Sequence, residues 1–147
     1  MTQKEFMQIA LENARRALKA GDVPVGAVIV KDGEIIAEAY NEREADNNAL
    51  AHAEVLAIER ACKKLGRWRL SDCEMYITLE PCPMCAGAIF NARIGCVYFA
   101  LKDANAGALG SVLNLNSYPL LHKVRAELIE CGEESRELLS SFFKSKR

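Results

Sequence analysis

Pro81-Cys82-Pro83-Met84-Cys85, read together with His52-Ala53-Glu54 thirty residues earlier, decides how this chain is organised. Two cysteines at i and i+3 at the head of a helix can grip one ion between them. A histidine at the head of a second helix supplies a third ligand. Three protein ligands fill only part of a tetrahedron and leave a place for water, which is the arrangement of a catalytic zinc rather than a structural one. Zinc makes such a water acidic near neutral pH, and Glu54, free of the metal, is positioned to carry protons.

Working outward, Glu74 to Leu79 reads as a strand, and Pro81 and Cys82 end it. Pro83 suits the first position of the following helix, where its missing N–H is no loss. Cys85, Ala86, Ile89 and Phe90 turn inward from that helix, Gly95 is expected to close it, and Cys96 to Ala100 is a second apolar strand. Strand, helix, strand in this order predicts a parallel pair with a right-handed crossover. Upstream, Val55, Ile58, Cys62 and Leu65 recur at helical spacing from Ala51. His52 and Glu54 then fall on a first helical turn, about 200° apart around the axis. Helical side chains lean toward the N-terminus, so both can still reach a ligand in front of the helix. The two helix dipoles aimed at the metal help to hold the cysteines as thiolates.

The remaining elements follow from simpler patterns. Thr2 and Glu5 have capping-box spacing ahead of Met7, Ala10, Leu11, Ala14 and Leu18, and Gly21 is a plausible stop. Val25 to Val30 is a continuous apolar run, as in a strand buried on both faces. Asp32-Gly33 is a hairpin turn signal, with Ile35 to Tyr40 returning antiparallel. Asn41 to Asn48 reads as a polar loop, as does Asp103 to Asn116, and a loop of the latter length is more often functional than filler. Val124 to Ile129 completes the strands, and a last helix starts at Glu133 and carries Leu138, Leu139, Phe142 and Phe143. The expectation is a single α/β domain over residues 1–147, with a mixed sheet covered by helices on both faces.

Composition bounds the partners. Half of the 147 residues are hydrophobic, 27% are charged and the formal net charge is −1, so RNA contact would need a local patch rather than an overall field. No apolar run approaches the ~20 residues of a membrane span, and the N-terminus lacks a secretory pattern, which makes a cytoplasmic protein the expectation. Of six cysteines, Cys62, Cys73, Cys96 and Cys131 stand singly in or beside apolar segments and read as buried free thiols. A dithiol redox motif is the rival for Cys82 and Cys85. It leaves His52 and Glu54 unexplained, and the chain opens with a helix and a hairpin. A structural zinc would want a fourth ligand, and His122 stands alone in a probable loop segment.

The pattern His-x-Glu followed by Pro-Cys-x-x-Cys is the zinc deaminase signature. Across nearly its whole length the chain resembles the bacterial tRNA-specific adenosine deaminases. The matching stretches are Val23 to Ala27, Asn41, Ala51 to Glu54, Thr78 to Ala88, Asn91 to Gly95 and Gly107 to Ser111. The resemblance implies a three-layer α/β/α cytidine-deaminase-like fold with a five-stranded mixed sheet in the order 2-1-3-4-5. It further implies a homodimer, and a flipped-out adenine over one Zn²⁺ per chain, acting on the wobble adenosine of the tRNA anticodon stem-loop. It assigns His52, Cys82 and Cys85 to the metal and Glu54 to proton transfer. Asn41 matches the asparagine that contacts the flipped nucleotide, and Pro24, Val25, Gly26 and Ala27 match the wall of the base pocket. Ala53, Pro81 and Asp103 join the substrate-binding set, and Phe142 and Phe143 match an aromatic pair that holds the anticodon loop. One of the two phenylalanines is also expected in the core. Asn105 stands where the family often has lysine, and Ala49-Leu50 replaces a common Pro-Thr. Competing functions are deamination of free guanine or deoxycytidylate within the same superfamily and, outside enzymes, a zinc-stabilised interaction module.

Overall fold

Residues of one strand alternate between two faces, and in this chain both faces are apolar. In the computed structural model, which describes residues 1–145, β1 (Gly26–Lys31) sends Ala27 and Ile29 into one core cluster and Val28 and Val30 into another. The same division runs through β3 (Cys73–Ile77), with Met75 and Ile77 against Tyr76. It recurs in β4 (Cys96–Phe99), with Val97 and Phe99 against Tyr98. Two buried faces require two layers of helix.

One layer is α1 (Gln3–Lys19) and α5 (Gly132–Ser145). Helix α1 presents Phe6, Met7, Ala10, Leu11 and Ala14 at helical spacing, and Thr2 caps it by accepting from the Glu5 N–H at 3.2 Å. The other layer is α3 (Ala53–Leu65) and α4 (Pro83–Asn91). Ala53, Ala57 and Ala61 lie at i, i+4 spacing, and their small side chains let α3 sit close to the sheet.

The sheet order is β2-β1-β3-β4-β5, with β2 spanning Glu34–Tyr40 and β5 spanning Arg125–Leu128. The implied fold and order are therefore present. Asp32 at φ 51° and Gly33 at φ 77° make the β1–β2 turn with both central residues left-handed, as a two-residue hairpin of this hand needs. β1 is antiparallel to β3, whereas β4 is parallel to both β3 and β5. The start of β1 and the ends of β2 and β3 consequently meet at one edge of the sheet, facing the N-termini of α3 and α4.

Three local readings differ from expectation. The Asn41 to Asn48 loop contains a helical turn, α2 (Arg43–Asp46), pinned where buried Asp22 accepts the Glu44 N–H at 2.8 Å. Helix α4 ends at Asn91, and Arg93 rather than Gly95 takes the left-handed position, at φ 63°. Its guanidinium offsets that strain by donating to the Phe90 carbonyl at 2.8 Å. The long loop after β4 is ordered, with a bridge between Leu109 and Asn114 and a short 3₁₀ turn at Leu115–Ser117. None of the six cysteines is in a disulfide. Cys73 is fully buried, which pushes its thiol up to about 11, while Cys62, Cys96 and Cys131 are only partly buried.

Gly26 is the closest contact between layers. A Cβ there would lie 1.9 Å from the Ala10 carbonyl oxygen and 2.7 Å from the Ala14 nitrogen, both backbone atoms of α1. Gly26→Ala must therefore push α1 off the sheet. We expect a loss of at least about 3 kcal/mol in urea unfolding, at the upper end for overpacked cores; a change below about 1 kcal/mol would contradict this packing.

Candidate metal centre and active site

Two chain reversals bring the signature residues together. His52 is not in the first turn of α3 but is its N-cap, with extended backbone at φ −77° and ψ 148°. The 200° separation expected within one helix therefore does not apply, and Glu54 is the second helical residue. Cys82 is likewise the N-cap of α4, at φ −72° and ψ 172°, with Pro83 at the first position and Cys85 one turn in. His52 Nδ1 lies 3.4 Å from Cys85 Sγ and 3.7 Å from Cys82 Sγ. For metal–sulfur bonds of about 2.3 Å and metal–nitrogen bonds of about 2.0 Å, a regular tetrahedron has edges of about 3.6 to 3.8 Å. The triangle thus fits a tetrahedral ion of zinc's size, and its donor set, two thiols and an imidazole, suits that ion. Among the described residues no fourth His, Cys, Asp or Glu joins the group.

Electrostatics favour a cation there. Cys82 accepts hydrogen bonds from Cys85 and from His52, which hold its thiol down at about 4 despite partial burial. Cys85, the donor in that pair and deeply buried, is held far above the ordinary thiol range. His52 is raised, chiefly by its bond to Cys82. A metal ion held by these residues would take the place of the shared protons and stabilise both sulfurs as thiolates. Glu54 is 4% exposed, and burial pushes its carboxyl up to about 7. A divalent cation beside it acts in the opposite sense and favours the carboxylate.

His52, Glu54 and Cys82 open into a cavity of ≈ 170 Å³. That is well below the ~300–1,000 Å³ of pockets for drug-sized ligands and suits one flat ring system. Val23, Val25 and Leu79 supply apolar surface, and Asn41, Arg43, Glu80, Asp103 and Ala106 complete the lining. The Asn41 side-chain oxygen accepts the Ala53 N–H at 2.8 Å. Its orientation is thereby assigned, and the amide NH₂ is left as a donor. A second hollow of ≈ 350 Å³ shares Val23, Leu79 and Asp103 with the first and continues to Lys102, Asn105 and Phe143.

The expected site residues separate into two groups. Val25, Asn41 and Asp103 border the cavity, and Phe143, 54% exposed, borders the neighbouring hollow. Pro24, Gly26, Ala27, Ala53 and Pro81 are buried behind the lining. Ala27 belongs to the core, Ala53 acts through its N–H, and Pro81 accepts the Ala108 N–H at 2.9 Å. Phe142 is the buried member of its pair, edge-on to Phe143 at 5.3 Å between centroids. Lys146 and Arg147, basic neighbours of the pair, lie outside the described residues. Sequence reasoning missed Val23, Leu79, Arg43 and Ala106, which have no chemical signature of their own.

The comparisons with known proteins agree with this geometry. A family model described as MafB19-like deaminase matches residues 1–147. The tRNA-specific adenosine deaminase of Bacillus subtilis (strain 168) is 45% identical over 150 aligned positions, covering 100% of this chain and 92% of that protein. The tRNA-specific adenosine deaminase of Aquifex aeolicus (strain VF5) is 47% identical, covering 100% of this chain and 97% of the relative. Among solved structures, one from a study of A-to-I editing by tRNA:A34 deaminases at the wobble position superposes with a TM-score of 0.90 at 40% identity. It covers 93% of this chain and 100% of its own. A guanine deaminase from Bacillus subtilis superposes at 0.68 with 34% identity, covering 99% of this chain and 94% of its own.

A three-donor metal triangle with a buried glutamate, on this sheet, defines the class: the protein is a deaminase of the MafB19-like family. Within that class, the chain belongs to the family of the tRNA-specific adenosine deaminases.

The triangle predicts metal content directly. Purified protein is expected to hold about one metal ion per chain, and Cys82→Ala or His52→Ala to lose most of it, since two donors bind too weakly in an open site. Elemental analysis decides the matter; full occupancy in Cys82→Ala would remove that residue from the ligand set.

Proposed function

We propose that the protein is a zinc-dependent hydrolase that converts the wobble adenosine of a tRNA anticodon loop to inosine and releases ammonia. The observation that carries the substrate is the junction of the two hollows. A free base needs only the cavity at His52, Glu54 and Cys82, yet that cavity opens along Val23, Leu79 and Asp103 to an exposed Phe143 with Lys102 beside it. An aromatic face next to a cation is what a neighbouring nucleotide of a single-stranded loop requires. Each stacked base contributes about 1–3 kcal/mol, enough to matter for a chain without net positive charge. Lys102 supplies a cation to this hollow, in which Asn105 stands where the family often has lysine.

His52, Cys82 and Cys85 would hold the zinc, which when bound acidifies a water molecule and so supplies the nucleophile. The chain's own part is proton traffic and orientation. Glu54 would receive a proton from that water and pass it to the ring nitrogen beside the reacting carbon, then take the proton of the hydroxyl added at that carbon and deliver it to the leaving amine. Adenosine and water thus become inosine and ammonia. Glu54 exchanges protons under two opposed influences, burial that raises its carboxyl and a bound cation that would lower it. The Asn41 NH₂ offers a fixed donor to the flipped nucleotide, and Val25 and Leu79 exclude water around the ring.

The same reading takes the protein as a cytoplasmic homodimer whose one functional domain spans 1–147. Leu120 and fully exposed Leu121 support an interface, since they rim an apolar groove of ≈ 380 Å³ with Phe90 and Leu115. No helix among the described residues is long and apolar enough to cross a membrane.

Incubation with an anticodon stem-loop carrying a wobble adenosine, followed by nucleoside analysis, is expected to yield inosine and an equal amount of ammonia. Free guanine, cytidine and deoxycytidylate are expected to react far more slowly. Rapid ammonia release from guanine with no inosine in the stem-loop would move the protein to the guanine deaminases. Glu54→Gln is expected to retain its metal and fold while losing about 10⁴-fold in turnover, the upper end for a positioned acid–base group that moves more than one proton. Near-normal turnover in the metal-loaded variant would remove Glu54 from the mechanism.

A further inference from the structure

A second buried glutamate has no place in the chemistry above. Glu80 is 2% exposed and sits two residues before Cys82. No cation pairs with it among the described residues, yet burying an unpaired carboxylate is strongly unfavourable. What faces it is a set of donors from the loop after β4. Its Oε1 accepts the Asp103 N–H at 3.2 Å and the Ser111 hydroxyl. Its Oε2 accepts the Leu109 N–H at 3.0 Å and the Ser111 N–H at 3.1 Å. Gly107 closes the other side, where a Cβ would lie 2.4 Å from the Glu80 carboxyl carbon.

The loop so held has a job at the cavity. Asp103 and Ala106 border it, and the Asp103 side chain in turn accepts the Asn105 and Ala106 N–H groups at 2.9 and 3.2 Å. Backbone bonds fasten the same segment to the metal-ligand strand end, from Glu80 N–H to Leu101 O at 2.8 Å and from Ala108 N–H to Pro81 O at 2.9 Å. We infer that Glu80 is a positioning residue: its carboxylate gathers the 101–113 loop onto Pro81-Cys82 and so sets the wall of the base cavity at Asp103 and Ala106. This rests on the deaminase reading above for its kinetic consequence, but not for its structural one.

The donor pattern explains why the residue is glutamate and not glutamine. Three backbone N–H groups cannot reverse, whereas the Ser111 hydroxyl can either donate or accept. A glutamine at 80 fits best with its NH₂ in the Oε1 position, where Ser111 turns to accept from it and Leu109 and Ser111 keep their acceptor. Only the Asp103 N–H is then left without a partner. Glu80→Gln therefore loosens the loop selectively at the cavity wall.

The test combines three readouts on the metal-loaded enzyme: metal content, amide hydrogen exchange over 102–107, and steady-state kinetics on the stem-loop. For Glu80→Gln we expect full metal content, exchange in 102–107 faster by about 10-fold, and KM raised about 10-fold with kcat within a factor of about 3. Unchanged exchange and KM, or a fall in kcat alone, would overturn the assignment. If Glu80→Gln does not fold, Ser111→Ala removes one donor of the four. It must then raise KM by about 3-fold with kcat unchanged, and an unaltered KM would refute the role. Wild-type protein that makes no inosine would fail the functional reading instead, while the exchange measurement still decides the role of Glu80.

Discussion

The opposed pairing of β1 and β3 is the constraint on which the site depends. It joins the antiparallel β2–β1 hairpin to the parallel β3, β4 and β5, and sets Ala27 opposite Ile77. It continues outward, with the Thr78 N–H reaching Gly26 O at 3.1 Å and the Gly26 N–H reaching the Thr78 hydroxyl at 3.1 Å. Val25, the end of β2 at Asn41, and the Leu79 to Cys82 segment therefore share one edge. The Thr78 carbonyl accepts the buried Ser135 hydroxyl at 2.7 Å, which ties α5, and with it Phe143, to that edge. A strand pairing thus brings together the His52, Cys82 and Cys85 triangle, the cavity in front of it and the neighbouring hollow, although these come from distant parts of the chain.

Around that edge the protein buries polar groups in a consistent way. Asp22 holds α2, Asn41 holds the head of α3, and Glu80 holds the loop after β4, each by accepting backbone N–H groups. Every one of these is satisfied by hydrogen bonds that fix geometry, as buried polar groups must be. Glu54 differs, for its surroundings raise its proton affinity instead of fixing a neighbouring segment. Of these four side chains, Asp22, Asn41 and Glu80 are framework, and Glu54 is the one proposed for chemistry. The two roles are distinguished by whether loop N–H groups occupy the oxygens.

Much of this was legible in the residues themselves. The apolar spacing of α1, the Asp32-Gly33 turn and Pro83 at the head of α4 each carry their physical cause within a few positions. The metal triangle was legible because cysteine and histidine in that spacing have few other uses. The strand order was not, since period-two alternation says which face a residue takes but not which strand lies beside it; it came from resemblance. Glu80 carried no role in the sequence because its partners lie 23 to 31 residues further on. Gly95 drew the helix stop by its propensity, whereas Arg93 took the left-handed position because its guanidinium could bond back to Phe90. Phe142 and Phe143 could not be sorted into core and surface until the path of α5 was known.

The central claim is an open metal site: His52, Cys82 and Cys85 would hold the ion, and water would take the fourth place beside Glu54. X-ray absorption at the zinc edge of the purified enzyme tests this most directly. The account predicts two sulfur neighbours at about 2.3 Å and two nitrogen or oxygen neighbours at about 2.0 Å in the wild-type enzyme. A shell of four sulfurs, or one with no nitrogen or oxygen neighbour beyond a single light atom, would contradict it.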